Sequence, residues 1–259
     1  MIFRRVLLTG AAGNIGSCLR AGLGDELDEL RLTDVREPDP PSDSFIAADL
    51  ADGEAVMRAV EGVEAVVHLG AVRSEAPFDR LLGPNVVGTF NVLDAARRAG
   101  VRRVVFASSN HATGFYPVDE RLTGAEPPRP DGLYGATKAF GEALARMYSD
   151  RFGLEVICLR IGSFGERPSG PQGLHMWLSP GDAVRLFRAC LSADDVDFLT
   201  VYGVSANTRS WWDLGEAARL LGYEPQDDAE RFAAEIEDTG PPAAYQGGAF
   251  TDPGYGGWT

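Results

Sequence analysis

Lysine is almost missing from this chain. Of the 24 Lys and Arg residues, 23 are arginine and one is Lys138. Positive charge of either kind is itself scarce: 38 Asp and Glu leave a formal net charge of −14. The isoelectric point is near 4.6. So negative a surface repels a phosphate backbone or an anionic bilayer, which excludes nucleic acid and the membrane surface as partners. An anionic small ligand would need a local positive pocket. Cysteine is also rare. Cys18, Cys158 and Cys190 are odd in number and share no metal-like spacing, so they read as small apolar residues of a reducing compartment. No apolar stretch reaches the ~20 residues of a membrane span. The opening "MIFRRVLLTG" passes straight into a glycine-rich turn rather than a signal-peptide core. A cytoplasmic protein is the expectation.

What is present is alternation. The strand-length apolar runs "FRRVLLTG", "ELRLTDV", "SFIAADL", "EAVVHLG", "RRVVFASS" and "LEVICLR" are separated by helical patterns such as "NIGSCLRAGL", "GEAVMRAVEG", "NVVGTFNVLDAARRAG" and "YGATKAFGEALARMYSDRFG". Strands apolar at nearly every position, joined through helices, predict an α/β fold: a doubly wound parallel (Rossmann) sheet covered on both faces. The pattern loosens after "RIGSFG" into a Pro- and Gly-rich loop, "ERPSGPQGLHMWLSPG". Then come a helix "DAVRLFRACLS", a strand "DFLTVYGV", a helix "WDLGEAARLLG" and an aperiodic tail from Thr239. The expected organisation is a dinucleotide-binding core over 1–160 and a small substrate-binding lobe and tail over 161–259, forming one compact unit. The two long helices of the core could offer a face for a homo-oligomer.

"TGAAGNIG" places Gly10, Gly13 and Gly16 between the first strand and the first helix. Glycines there allow a tight turn and a close approach to a pyrophosphate, and the helix start supplies N–H donors, Asn14 and Ile15 among them. Asp34, 18 residues beyond Gly16 in "RLTDV", can accept both ribose hydroxyls and would repel a 2′-phosphate. That favours NAD over NADP, with Arg36 as the one opposing charge. Asp49 and Leu50 end the third strand where adenine would be edged. Leu69, Gly70 and Ala71 end the fourth with the small residues a cofactor lying across strand ends requires. His68, in the same stretch, reads as a core histidine.

Tyr134 and Lys138 lie one turn apart on one helix face. A neighbouring ammonium favours phenolate over phenol, and a compact ammonium does this where a planar guanidinium fits poorly. The fifth strand ends in "ASSNHATG", placing Ser108 or Ser109 at the ligand edge of the sheet.

Together the glycine turn, the strand-end serine and Tyr-x-x-x-Lys resemble the extended short-chain dehydrogenase/reductase family. The family spacing from Ser to Tyr selects Ser109, since 134 − 109 = 25. Across the whole chain, "FASSNH", "RPDGLYGATK", "LRIGS", "MWLS", "SANTRSWWD" and "YQGGAF" are similar to bacterial uronate dehydrogenases. The resemblance implies NAD-dependent oxidation of galacturonate or glucuronate at C1 to the aldarolactone. In it Tyr134 is the base, Lys138 lowers the phenol pKa and holds the nicotinamide ribose, and Ser109 orients the substrate oxygen. It also implies a sugar pocket containing Asn110 and His111. Where the resemblance implies a carboxylate-clamping arginine, this chain has Gln172. Ser163, Arg167, Gln172 and His175 could surround a carboxylate, and Arg73, with Ser74 beside it, is a further candidate. An aldose or sugar-phosphate substrate stays open, and so, less favourably, does a nucleotide-sugar epimerase, for which the C-terminal lobe is short. A silent NAD-binding sensor would have little reason to keep Ser109, Tyr134 and Lys138.

Overall fold

The computed structural model describes residues 2–237 and 243–256. Its centre is a seven-stranded parallel sheet in the order β3-β2-β1-β4-β5-β6-β9. The strands are β1 (Arg5–Thr9), β2 (Glu29–Asp34), β3 (Phe45–Ala47), β4 (Ala65–His68), β5 (Arg103–Ser109), β6 (Glu155–Ile161) and, at the edge, β9 (Phe198–Gly203). The first six are the runs expected from sequence, and order reverses beside β1, the switch point where ligands gather in such sheets. β9 comes from the C-terminal part of the chain, so that part extends the main sheet: Val156 to Ile161 pair in register with Phe198 to Gly203.

The helices are α1 (Asn14–Leu23), α2 (Gly53–Val60), α3 (Phe78–Leu81), α4 (Gly88–Ala99), α5 (Leu133–Phe152), α6 (Gly170–Met176), α7 (Pro180–Ser192) and α8 (Gly215–Leu221). Alternate strand residues serve opposite faces. Leu8, Val67, Val105 and Ile157 pack with Leu19 and Leu23 of α1, Leu186 and Phe187 of α7 and Leu221 of α8. Their neighbours Leu7, Val66, Val104 and Val156 pack with Val56 and Val60 of α2, Val92 and Leu93 of α4 and Tyr148 of α5. This explains why the strands read as unbroken apolar runs. Cys158 and Cys190 are buried and Cys18 half-buried, all three unpaired.

Two stretches depart from the sequence reading. The segment read as loop, 166–181, contains α6 and β8 (Trp177–Leu178), which pairs with β7 (Ser163–Phe164). Pro171 sits in the first turn of α6, where its missing N–H costs nothing, and Leu174 and Trp177 bury against Ala229 and Phe232. The pattern expected as a helix from Asn85 instead begins as a π-helical segment, Leu82–Val87, before α4. Pro84 lies inside that segment and cannot donate to a regular helical ladder. No described helix is long and apolar enough to cross a membrane.

Candidate active site

A cavity of about 530 Å³ opens over the C-terminal ends of β1, β4, β5 and β6. Its cofactor side is lined by Gly10, Gly13, Asn14, Ile15, Gly16, Leu69, Gly70 and Ala71. Gly10 adopts φ +69°, and a Cβ there would stand 2.8 Å from the Gly70 nitrogen. A Cβ on Gly16 would run into the Gly10 carbonyl. The turn therefore keeps a side-chain-free cradle at the start of α1, which fits a pyrophosphate.

Asp34 ends β2 next to this cradle. One carboxylate oxygen accepts from the Ala12 N–H at 3.1 Å and the other from the Arg36 N–H at 3.3 Å, while the Arg36 side chain is exposed. Asp34, Asp49 and Leu50 are not among the cavity-lining residues. Asp49 is exposed and accepts from the Ala51 N–H at 2.9 Å, closing a local turn. Leu50 packs beneath Gly70 and Gly88.

On the opposite side Ser109, Asn110, His111, Tyr134 and Lys138 converge, joined by Arg73, Ser163 and Gln172. β5 delivers Ser109 at its last position, and α5 starts at Leu133, so Tyr134 and Lys138 occupy its first turns. Burial, joined by the Asp131 charge, pushes the Tyr134 phenol up to about 12, against the lowering effect of the Ser109 hydroxyl and the Arg73 charge. Burial also pulls Lys138 down to about 8, while Glu142 one turn on opposes the shift. The Lys138 ammonium donates to the Ala107 carbonyl at 2.8 Å and lies 5.7 Å from the Tyr134 ring centroid.

Other residues foreseen for the sugar fall outside the cavity lining. Ser74 is exposed on the loop after β4. His175 stacks on Trp211 at 4.3 Å and its Nδ1 bonds the Arg209 carbonyl at 2.6 Å. Arg167 pairs with Glu235 and covers Phe232. Sequence reasoning missed Phe164, Ser169, Met176, Gly247, Ala249 and Phe250, which also line the cavity. The glycine pair in "YQGGAF" was the visible signal for the last three. There the Gly247 N–H donates to the Gly114 carbonyl at 2.8 Å and lays the tail across the site. Gln246 anchors it by accepting from the Trp212 indole at 2.6 Å.

A parallel sheet with a glycine cradle after β1 and a Tyr-x-x-x-Lys pair facing the same cavity defines a dinucleotide-binding α/β oxidoreductase. The chain belongs to the NAD dependent epimerase/dehydratase family, whose pattern matches residues 6–221. It is 46% identical over 257 residues to uronate dehydrogenase of Pseudomonas putida, covering 96% of each chain. It is also 41% identical to an NAD-dependent glucose-6-phosphate dehydrogenase of Haloferax volcanii, over 90% of this chain and 97% of that protein. A crystal structure of an Agrobacterium tumefaciens uronate dehydrogenase variant complexed with NAD superposes with a TM-score of 0.90 at 43% identity, over 96% of this chain and 97% of that one. The protein is an NAD-dependent dehydrogenase acting on a CH–OH group.

Proposed function

We propose that the chain oxidises a hexuronate, galacturonate or glucuronate, at C1 to the aldarolactone. The observation that carries this reading is the convergence of Ser109, Tyr134 and Lys138 with Arg73, a cation without a carboxylate partner among the described residues, in one cavity beside the glycine cradle. NAD, when bound, supplies the hydride acceptor. The Ser109 hydroxyl holds the C1 oxygen of the sugar, and Tyr134 Oη takes the proton of the anomeric hydroxyl. Burial holds that phenol above its usual range, so it must first release its own proton to solvent, and the phenolate that then accepts the substrate proton is favoured by the Ser109 hydroxyl and the Arg73 charge. Lys138 serves the nicotinamide ribose. Gly10, Gly13, Asn14, Ile15 and Gly16 hold the pyrophosphate. Asp34 takes the adenosine ribose, Asp49 and Leu50 border the adenine, and Leu69, Gly70 and Ala71 give the cofactor room.

Asn110, His111, Ser163 and Gln172 contact the sugar ring, and Arg73 supplies the charge for its carboxylate. Residues 1–160 thereby hold the cofactor and also bring Arg73, Ser109, Asn110, His111 and Tyr134 to the substrate, to which the 161–259 part adds Ser163 and Gln172. A second reading has a specific observation behind it: the amide Gln172, whose Nε2 is buried without a partner among the described residues, offers no charge, and a sugar-phosphate dehydrogenase is among the relatives. A cytoplasmic setting suits the three unpaired thiols. Exposed Phe78, Phe90, Phe140, Met147 and Phe152 on α3, α4 and α5 support association with a second copy. The deciding experiment is NADH formation with uronates, neutral aldoses and sugar phosphates. Turnover of galacturonate or glucuronate is expected; turnover of an aldose or sugar phosphate with none of either uronate would overturn the substrate.

A further inference from the structure

We propose that Asp131 is a positioning residue of the active site. By accepting the Nδ1 proton of His111 it fixes the imidazole tautomer whose bare Nε2 accepts a hydrogen bond from a sugar hydroxyl. His111 Nδ1 lies 2.7 Å from Asp131 Oδ2. A carboxylate only accepts, so the shared proton belongs to Nδ1 and, in the neutral ring, the lone pair belongs to Nε2. His111 Nε2 has no hydrogen-bond partner among the described residues. The imidazole, not the carboxylate, faces the cavity: His111 is one of its lining residues and Asp131 is not, and the Asp131 side chain is fully buried.

The surroundings are built around this carboxylate. A side chain on Gly114 or on Gly247 would run into Asp131 Oδ2. Two segments more than a hundred residues apart thus leave space for it. Asp131 has no Lys or Arg partner among the described residues, and its Oδ1 is buried without any. Holding a carboxylate in that state costs stability, so its contribution is sought in what it does to His111. The ring itself is clamped. Phe250 stacks on it at 3.8 Å, and the Tyr134 ring meets it edge-on at 5.9 Å. A ring turned over about its bond would lose the 2.7 Å contact with Asp131.

The result is a fixed acceptor beside Tyr134, matched to a hydroxyl and not to an anion. Specificity for the configuration of one ring hydroxyl follows, while the anionic end of the substrate is left to Arg73. The identity of the ligand as a sugar rests on the function proposed above; the tautomer does not.

Two measurements test this. In protein labelled with ¹⁵N-histidine, a long-range ¹H–¹⁵N spectrum assigned with His111→Gln is expected to show His111 protonated at Nδ1 and bare at Nε2 near neutral pH. A proton on Nε2, alone or with one on Nδ1, would overturn the proposal whatever the substrate. In Asp131→Asn the amide can donate to Nδ1 and drive the proton to Nε2. kcat/KM is then expected to fall about ten- to hundredfold, the worth of one hydrogen bond reversed from acceptance to repulsion, with the dissociation constant for NAD unchanged. The same substitution in a His111→Ala background is expected to cost nothing further, and additive losses would refute action through His111. If Asp131→Asn does not fold, the wild-type spectrum decides alone. Inactivity on every uronate with the expected spectrum would remove the substrate reading and leave the tautomer standing.

Discussion

Glu75 caps the helix that carries Tyr134. Its Oε1 accepts from the Leu133 N–H at 3.0 Å and its Oε2 from the Tyr134 N–H at 2.9 Å. α5 needs this help, because its N-cap is Gly132 and its first turn has no acidic residue. The carboxylate arrives from the loop after β4, two residues beyond Arg73, so one side chain ties the wall bearing the cation to the residue proposed as base. Glu75→Ala removes both bonds and a favourable charge at the helix start. A stability loss of about 1 kcal/mol in urea unfolding is expected, with kcat reduced more than NAD binding. A variant with unchanged kcat would show that the loop does not position Tyr134.

Tyr134→Phe removes one oxygen from a site that otherwise keeps its shape. If that oxygen takes the substrate proton, kcat is expected to fall by about 10²- to 10⁴-fold, the usual worth of a general base. NAD titration followed by fluorescence should give the wild-type dissociation constant, since the glycine cradle and Asp34 are untouched. Turnover within a few fold of wild type would move the proton transfer to another group.

His68 couples this region to acid stability. It is fully buried between Thr9, 2.8 Å from Nδ1, and Thr89, 3.4 Å from Nε2. Burial, reinforced by the Lys138 charge, pulls its pKa down to about 3. Between pH 6.5 and 3 the unfolded chain binds a proton at this position and the native one does not, so native stability falls as the pH drops through that window. From pH 6.5 to 5 the cost is about 2 kcal/mol. His68→Gln can keep both hydrogen bonds without titrating. Its unfolding free energy should therefore drop less than that of wild type over the same interval, by about this amount; equal slopes would show that His68 is not the titrating group.

How much of this was legible in the sequence follows from the range of the interactions. The strand runs and the i to i+4 pair of Tyr134 and Lys138 are local patterns, and β1 to β6, α1 and α5 stand where those patterns put them. The glycine turn is equally local, and its cradle is present. Short elements held by tertiary packing left a weaker trace. α6 is seven residues containing two glycines and a proline, and Trp177 buried beside Phe232 holds its end. Asp131 and His111 lie 20 residues apart with no regular element between them, and Phe250 comes from a tail without periodicity. Nothing in their spacing announces contact. His175 is a further case: near the expected clamp, it stacks on Trp211 and bonds the Arg209 carbonyl, contacts its spacing did not announce.

Arg73 gives the sharpest test of the anionic substrate. Among the described cavity-lining residues Arg73 and Lys138 are the only Lys or Arg, and the Lys138 ammonium is engaged by the Ala107 carbonyl. Arg73 has no carboxylate partner among the described residues, so its guanidinium is available to a ligand. A charge-assisted hydrogen bond is worth about 1.5–3 kcal/mol, so Arg73→Ala should raise KM for galacturonate or glucuronate about ten- to hundredfold. KM for any neutral aldose that is turned over should move little. Gln172→Arg should work in the reverse sense, lowering KM for the uronate by adding a guanidinium where the amide now stands. Measuring both variants on both substrate classes separates a charge effect from general damage to the pocket. A uronate KM unmoved by Arg73→Ala would require the carboxylate to be bound by neutral donors alone.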